Sequence, residues 1–207
     1  MTDPARINQF IKTATRSQDG SEIRSTYAEW SDSYDSDLER FGYLAPATAV
    51  AQLSALLPDR QALIYDAGCG TGLAGVALAK AGFEQLHGAD FSAEMLAQAR
   101  ATGLYQQLEL ADYSAPVAVP GQTYDAVISV GVYCAGFRPH FLAEMARILR
   151  PGGILQFTCR PHYYEGEVDQ DMPAMVQAGI WTDLQVDKLP YMAGQNADAY
   201  YIAARKT

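Results

Sequence analysis

Three features of the sequence predict an α/β fold with a mainly parallel sheet covered by helices on both faces. Short apolar runs alternate with amphipathic helical stretches along most of the chain. A glycine-rich turn, Asp66-Ala67-Gly68-Cys69-Gly70-Thr71-Gly72, joins the first apolar run to a helix, which is half of a βαβ unit. The last two runs, Leu184–Leu189 and Ala199–Ala204, flank the turn Gly194-Gln195-Asn196-Ala197, so an antiparallel hairpin is expected to close the sheet.

Thr13, Thr15, Ser17, Gln18, Asp19 and Gly20 make the start of the chain polar, and it is expected to be loosely held. Glu22–Trp30 presents Ile23, Tyr27 and Trp30 on one helical face, and Pro46–Leu57 is a second helix through Val50, Leu53, Leu56 and Leu57. Strand one is Ala62–Tyr65, after Pro58-Asp59-Arg60, and the next helix begins near Leu73. Strands two to five are Gln85–Ala89, Gln107–Leu110, Ala126–Val130 and Ile154–Thr158, with helices over Ser92–Ala101 and Pro139–Leu149. That last helix carries one apolar stripe of Phe141, Leu142, Met145, Ile148 and Leu149, and Arg150-Pro151-Gly152-Gly153 stops it. Met172–Ala178 reads as a further helix.

With 207 residues, 49% of them hydrophobic, the chain can bury one sizeable core, and nothing suggests a second. A net charge of −9 argues against a nucleic-acid surface, which rests on clustered Lys and Arg. Cys69, Cys134 and Cys159 are odd in number and widely spaced, which suits a reducing compartment and gives no zinc pattern. No signal peptide opens the chain and no apolar run approaches membrane-spanning length, so a soluble cytoplasmic protein is expected.

Glycine at a strand-to-helix turn lets a ligand lie against the backbone and permits positive φ, and the helix start offers free N–H groups. Gly70-Thr71-Gly72-Leu73-Ala74-Gly75 also reads as G-x-G-x-x-G with Asp90 downstream, so a dinucleotide must be weighed. That register would leave Asp66 within the buried strand, where an unpaired carboxylate is costly. Starting the turn at Gly68 instead puts Asp66 at the strand's exposed end, able to receive a cationic amine. S-adenosylmethionine carries an ammonium and a sulfonium, whereas a pyrophosphate would be repelled.

Asp66 to Gly72, Gly88-Ala89-Asp90-Phe91-Ser92-Ala93-Glu94-Met95-Leu96, Ala111-Asp112, Tyr124-Asp125-Ala126-Val127-Ile128-Ser129 and Leu149-Arg150-Pro151-Gly152-Gly153 follow one another in that order. Together they resemble the ordered motifs of class I S-adenosylmethionine-dependent methyltransferases. Gly131-Val132-Tyr133, Trp30, Tyr34-Asp35 and Gly42-Tyr43 further resemble the Williams–Beuren-region methyltransferase-like subgroup. The resemblance implies a Rossmann-like three-layer sandwich with seven strands in the order 3-2-1-4-5-7-6. It also implies a helical lid segment over residues 1–44, a methyltransferase domain over 45–207, and S-adenosylhomocysteine as product.

In such sheets ligands bind beyond the carboxyl ends of the strands. Asp90 is then expected to accept from the ribose hydroxyls, Phe91 and Met95 to flank the adenine, and Asp112 to accept from its amino group. Tyr113 would supply a backbone N–H, Gly68 and Gly70 a close approach, and Val130 or Gly131 a contact to the methionine portion; Asp66 is expected to be the amine receptor or to order a water that is. Each has a plainer reading. Asp90 can cap the helix with Ser92, Asp112 can be a turn residue before Pro116, and Met95 can be core.

Methyl transfer mainly requires alignment and exclusion of water, so a base is optional. His140, His162 and Tyr133 are the catalytic candidates, against ordinary surface and packing roles. Tyr27, Trp30 and Tyr34 are expected to form an aromatic lid, Tyr133, Tyr163 and Tyr164 to line the acceptor pocket, and Arg160 to clamp an acceptor carboxylate or phosphate or be surface-solvated. Glu165, Glu167, Asp169 and Asp171 alternate in an acidic loop that reads as a solvated face, and no metal is expected. The signatures of amino-group methylation on DNA bases and of the cytosine nucleophile are absent, which favours a small-molecule acceptor bearing an O, N, S or C nucleophile. A monomer or homodimer is expected. An S-adenosylmethionine-binding regulatory module or rearrangement catalyst, and a nicotinamide oxidoreductase, stay open at this point.

Overall fold

The computed structural model describes residues 4–16, 20–113, 115–133 and 140–207. Four helices come first: α1 (Pro4–Arg16), α2 (Gly20–Trp30), α3 (Tyr34–Arg40) and α4 (Ala45–Leu56). Then follow β1 (Ile64–Ala67), α5 (Leu73–Lys80), β2 (Leu86–Asp90), α6 (Ala93–Ala101), β3 (Gln107–Leu110), β4 (Tyr124–Ser129), α7 (His140–Ile148) and β5 (Leu149–Cys159). A single turn α8 (Pro161–Tyr163), a kinked stretch Tyr164–Val168 and α9 (Asp169–Gln177) lead to β6 (Trp181–Met192) and β7 (Ala197–Lys206). The seven strands lie in the order β3-β2-β1-β4-β5-β7-β6, as the resemblance implies. The first five are mutually parallel, and β7 runs antiparallel to β5 and β6.

Neighbouring strand residues point to opposite faces, so the sheet feeds two cores. Tyr65, Val127, Leu155 and Phe157 pack beneath α7, whose Phe141, Leu142, Met145 and Ile148 are all buried. Ile64, Ile128 and Ile154 turn the other way, towards Val50 and Leu53 of α4 and Leu78 of α5. Each such side chain contributes about 1.5–3 kcal/mol by leaving water. That double coverage is why these strands read as near-continuous apolar runs.

Three expectations are corrected. The start of the chain is not loose where described: α1 buries Ile7 and Phe10 in the second core, and Phe10 stacks on Trp30 with ring centroids 5.4 Å apart. The polar threonines masked this stripe. β1 runs two residues beyond the expected strand, because Asp66 and Ala67 continue the register with Gly88 and Ala89 of β2. β5 begins at Leu149, since Leu149 pairs with Tyr124 and the chain bulges through Arg150-Pro151-Gly152-Gly153 before Ile154 pairs with Ala126. Pro139, expected to open α7, lies outside the described residues.

Candidate cofactor and acceptor site

A cavity of about 880 Å³, part of it open to solvent, lies beyond the carboxyl ends of β1, β2, β4 and β5. Tyr27, Tyr34, Gly68, Gly70, Asp90, Phe91, Met95, Tyr113, Val130, Gly131, Tyr133, Arg160 and Tyr163 all line it, together with Ile23, Val132, Thr158 and Tyr191. A smaller cavity of about 330 Å³ on the other side of the glycine turn is lined by Asp66, Tyr34, Tyr43, Thr71 and Val130 among others.

Asp90 ends β2 and is buried. One carboxylate oxygen accepts from the Gly70 N–H and the other from the Ser92 N–H, both at 2.9 Å. Burial raises its pKa and those backbone bonds hold it down in part. A carboxylate has about four acceptor positions, and with the Phe91 N–H also acting on it there is still capacity for a ligand hydroxyl. The cap of α6 is Ser92, whose hydroxyl accepts from the Met95 N–H at 3.2 Å, and Asp90 instead joins that cap residue to the glycine turn, which aims its carboxylate.

The glycine turn has a different use for each glycine. Gly70 has φ +55° and no atom within 4 Å of where a Cβ would be, so its face is open for a ligand. Gly68, at φ +74°, instead faces Val132, whose side chain would stand 2.2 Å from an added Cβ. Close approach there is to the protein's own β4 loop. Gly75 takes an ordinary φ but lies under Tyr105, whose hydroxyl would be 2.3 Å from its Cβ. Gly88 is likewise covered by the Tyr105 ring, at 2.9 Å.

Tyr105 crosses these two glycines to reach Asp66, donating to Oδ2 at 2.6 Å. Asp66 is not at an exposed strand end. It is inside β1, in register with Gly88 and Ile128, and its Oδ1 has no partner among the described residues. Burial pushes its pKa up to about 7, the Tyr105 bond lowers it and nearby Asp90 raises it. The sequence offered no direct mark of Tyr105. The indirect signal was the pair Gly75 and Gly88, glycines whose backbone needs no special φ.

Tyr113 supports the turn from below, its hydroxyl accepting from the Gly68 N–H at 2.9 Å and donating to the Ala89 carbonyl at 3.3 Å. Met95 and Tyr133 are buried walls, and Tyr133 packs on Phe141 and Phe157 at 5.8 and 5.5 Å. Gly131, at φ +78°, donates to Thr158 Oγ1 at 2.8 Å and leaves room for the hydroxyls of Tyr191 and Tyr43. Those two hydroxyls lie 3.1 Å apart.

A family model for a methyltransferase domain matches residues 64–153. Human methyltransferase-like protein 27 is 38% identical over 173 residues, covering 79% of this chain and 71% of the human protein. The chain belongs to the class I S-adenosylmethionine-dependent methyltransferases. Among solved structures, an S-adenosylmethionine-dependent methyltransferase of Thermotoga maritima, described as a possible histamine N-methyltransferase, superposes with a TM-score of 0.66 at 21% identity, over 87% of this chain and 98% of that one. The magnesium protoporphyrin IX methyltransferase of Synechocystis, with S-adenosylmethionine bound, gives 0.58 at 16% identity, over 99% and 92%.

In this methyltransferase Tyr27, Trp30 and Tyr34 form a connected aromatic group on the α2–α3 side. Trp30 and Tyr34 meet edge-on at 4.7 Å, and Tyr27 touches Phe91 at 5.7 Å. Trp30 is anchored from below by donating to Asp37 at 3.1 Å, while Tyr27 and Tyr34 face the cavity. Thr71 ties the glycine turn to α3 by donating to Asp35 at 2.5 Å.

Asp112, His140, His162 and Tyr164 line neither of these two cavities; Tyr164 instead stacks on Tyr200 with ring centroids 3.8 Å apart. Asp112 is exposed after β3 and pairs with Arg24 of α2 at 3.9 Å. His140 is the exposed first residue of α7, and His162 is exposed on α8, its ring 4.0 Å from that of Tyr163. Both histidines follow strand ends, as expected, but a loop end is a ring of positions and only part of it faces the ligand. No group of three metal-ligating side chains occurs among the described residues, and no helix is long and apolar enough to cross a membrane.

Proposed function

We propose that this methyltransferase transfers a methyl group from S-adenosylmethionine to a small molecule enclosed between the β4–β5 ends and the aromatic residues of α2 and α3. The observation that carries this reading is one cavity running from Asp90 to Arg160, with Tyr27 and Tyr34 over it. The donor fits the residues present: the open face of Gly70 admits an adenosyl chain, and the orphaned Asp66 Oδ1 suits an ammonium group.

When bound, the donor supplies a methyl group already activated on a sulfonium. Asp90 holds the ribose hydroxyls, Phe91 and Met95 flank the adenine, Val130 and Gly131 border the methionine portion, and Asp66 receives the amine through the smaller cavity. Asp112 acts through Arg24, tying α2 against the domain, and not on the adenine. Residues 1–44 are the lid, and 45–207 the catalytic domain. Tyr27 and Tyr34 exclude water and turn aromatic faces towards the cationic donor.

The acceptor's nucleophilic atom, held against Tyr133 and Tyr163, forms a bond to the methyl carbon as the carbon–sulfur bond breaks and its electron pair stays on sulfur. The acceptor's proton goes to solvent. Alignment does most of the work, because His140 and His162 stand away from the cavity; burial also pushes the pKa of Tyr34 well up, making it a poor base. The acidic balance favours a small acceptor over nucleic acid, in a cytoplasmic monomer or homodimer.

The test is transfer of labelled methyl from S-adenosylmethionine into a cell extract separated by size. Label in the small-metabolite fraction is expected; label only in protein or RNA would overturn the assignment of the acceptor.

A further inference from the structure

Among the described residues, Arg160 is the only charged residue besides Asp90 that lines the main cavity, and it stands at the opposite end. It also lines a third cavity of about 390 Å³, lying towards α2 and α3, in which it is the sole charged residue among those described. The chain reaches this position by leaving β5 at Cys159 and taking extended backbone at Arg160, φ −71° and ψ 151°, before α8 begins. The guanidinium carbon sits 5.2 Å from the centre of the Tyr191 ring, so one face of the planar group is fixed against an aromatic surface.

Three other arginines have close carboxylate partners, while Arg6 and Arg60, like Arg160, lie over an aromatic ring, that of Phe10 and of Phe83. Arg147 meets Glu144 at 2.7 Å, Arg150 meets Asp125 at 2.6 Å and Arg205 meets Asp183 at 3.3 Å. Arg160 has no ion pair with any described carboxylate. In a chain of net charge −9, a half-buried arginine stacked in a cavity without an acidic partner among the described residues suits an anionic group.

We infer that Arg160 and the tyrosines beside it form a subsite for a carboxylate on the methyl acceptor. This deepens the function proposed above and rests on it. A carboxylate matches the two-pronged edge of a guanidinium held by its face. A single cation with no lysine or second arginine lining the cavity balances one negative charge, whereas a phosphate monoester carries nearly two. Tyr133, Tyr163 and Tyr191 provide flat, partly apolar walls, so the body of the acceptor is a small ring or a similarly compact apolar group.

The experiment is titration of the full chain, saturated with S-adenosylhomocysteine, with 4-hydroxybenzoate, 4-hydroxybenzamide and 4-hydroxyphenyl phosphate. The wild type is expected to prefer the carboxylate to the amide by about tenfold or more, and Arg160→Met to abolish that preference while S-adenosylhomocysteine affinity stays within about twofold. Arg160→Lys, which keeps the charge without the fork, should retain part of the preference and serves if Arg160→Met fails to fold. Equal binding of carboxylate and amide, no binding of either, or tighter binding of the phosphate overturns the subsite. Loss of S-adenosylhomocysteine affinity in both Arg160 variants also overturns it, since the arginine would then hold the donor's carboxylate. Failure of the wild type to bind S-adenosylhomocysteine at all sinks the underlying function instead.

Discussion

The hydroxyl of Tyr105 donates to one oxygen of Asp66 at 2.6 Å, and the other oxygen of that buried carboxylate has no partner among the described residues. A half-satisfied buried acid is costly unless it is protonated or receives a cation. Burial therefore moves the titration of Asp66 up towards neutral pH, and an arriving ammonium group favours its ionised form.

The sign of the pH effect on stability follows. Burial raises the folded-state pKa of Asp66 to about 7, above the unfolded value of about 3.9. The folded state therefore binds more protons between these values, and stability falls as pH rises from about 4 to about 7. Asp66→Asn should remove this part of the fall, making the variant less sensitive than wild type in denaturant melts at pH 5 and pH 8. Parallel pH dependence in the two proteins would contradict the assignment.

Donor binding should show the opposite trend. A cationic amine selects ionised Asp66, so affinity for S-adenosylhomocysteine should tighten by about tenfold from pH 6 to pH 8. Tyr105→Phe keeps the ring over Gly75 and Gly88 but deletes the bond that lowers the Asp66 pKa. The rise in affinity should then shift to higher pH, with a stability loss of about 1–2 kcal/mol. Calorimetric titration across pH reads both.

Gly75→Ala tests the clearance under Tyr105. A methyl group there collides with a rigid ring and should cost about 1–3 kcal/mol. Combined with Tyr105→Leu, which vacates that space, the two losses should be clearly less than additive in urea unfolding.

Phe10→Ala should destabilise the protein by about 3 kcal/mol, because Phe10 is packed on Trp30 in the core shared by α4 and α5. An unchanged urea midpoint would show that α1 is peripheral.

Much of the sheet was legible in the sequence because buried parallel strands and their helices leave uninterrupted apolar runs; Ala126-Val127-Ile128 of β4 and the stripe of α7 are plain examples. The ends were less legible. Asp66 looks like a strand terminus by polarity, and only a tyrosine 39 residues downstream makes its burial tolerable. Likewise α1 hides two core residues, Ile7 and Phe10, among threonines and lysine. At the site, residues at strand tips such as Asp90, Gly131 and Arg160 were identifiable from spacing, since topology alone carries them to one edge. His140, His162 and Asp112 show the limit of that logic: a strand end fixes the edge of the sheet, while helix packing decides which side chains turn inward.

The central claim is that Asp90 and the glycine turn hold an adenosyl donor. Calorimetric titration with S-adenosylhomocysteine tests it most directly, on wild type and on Asp90→Ala with NAD as the control ligand. Binding by the wild type, a loss of about tenfold or more in Asp90→Ala with the fold retained, and no response to NAD are the predicted results. Equal affinity in the two proteins, or binding of NAD in place of the adenosyl compound, would contradict it.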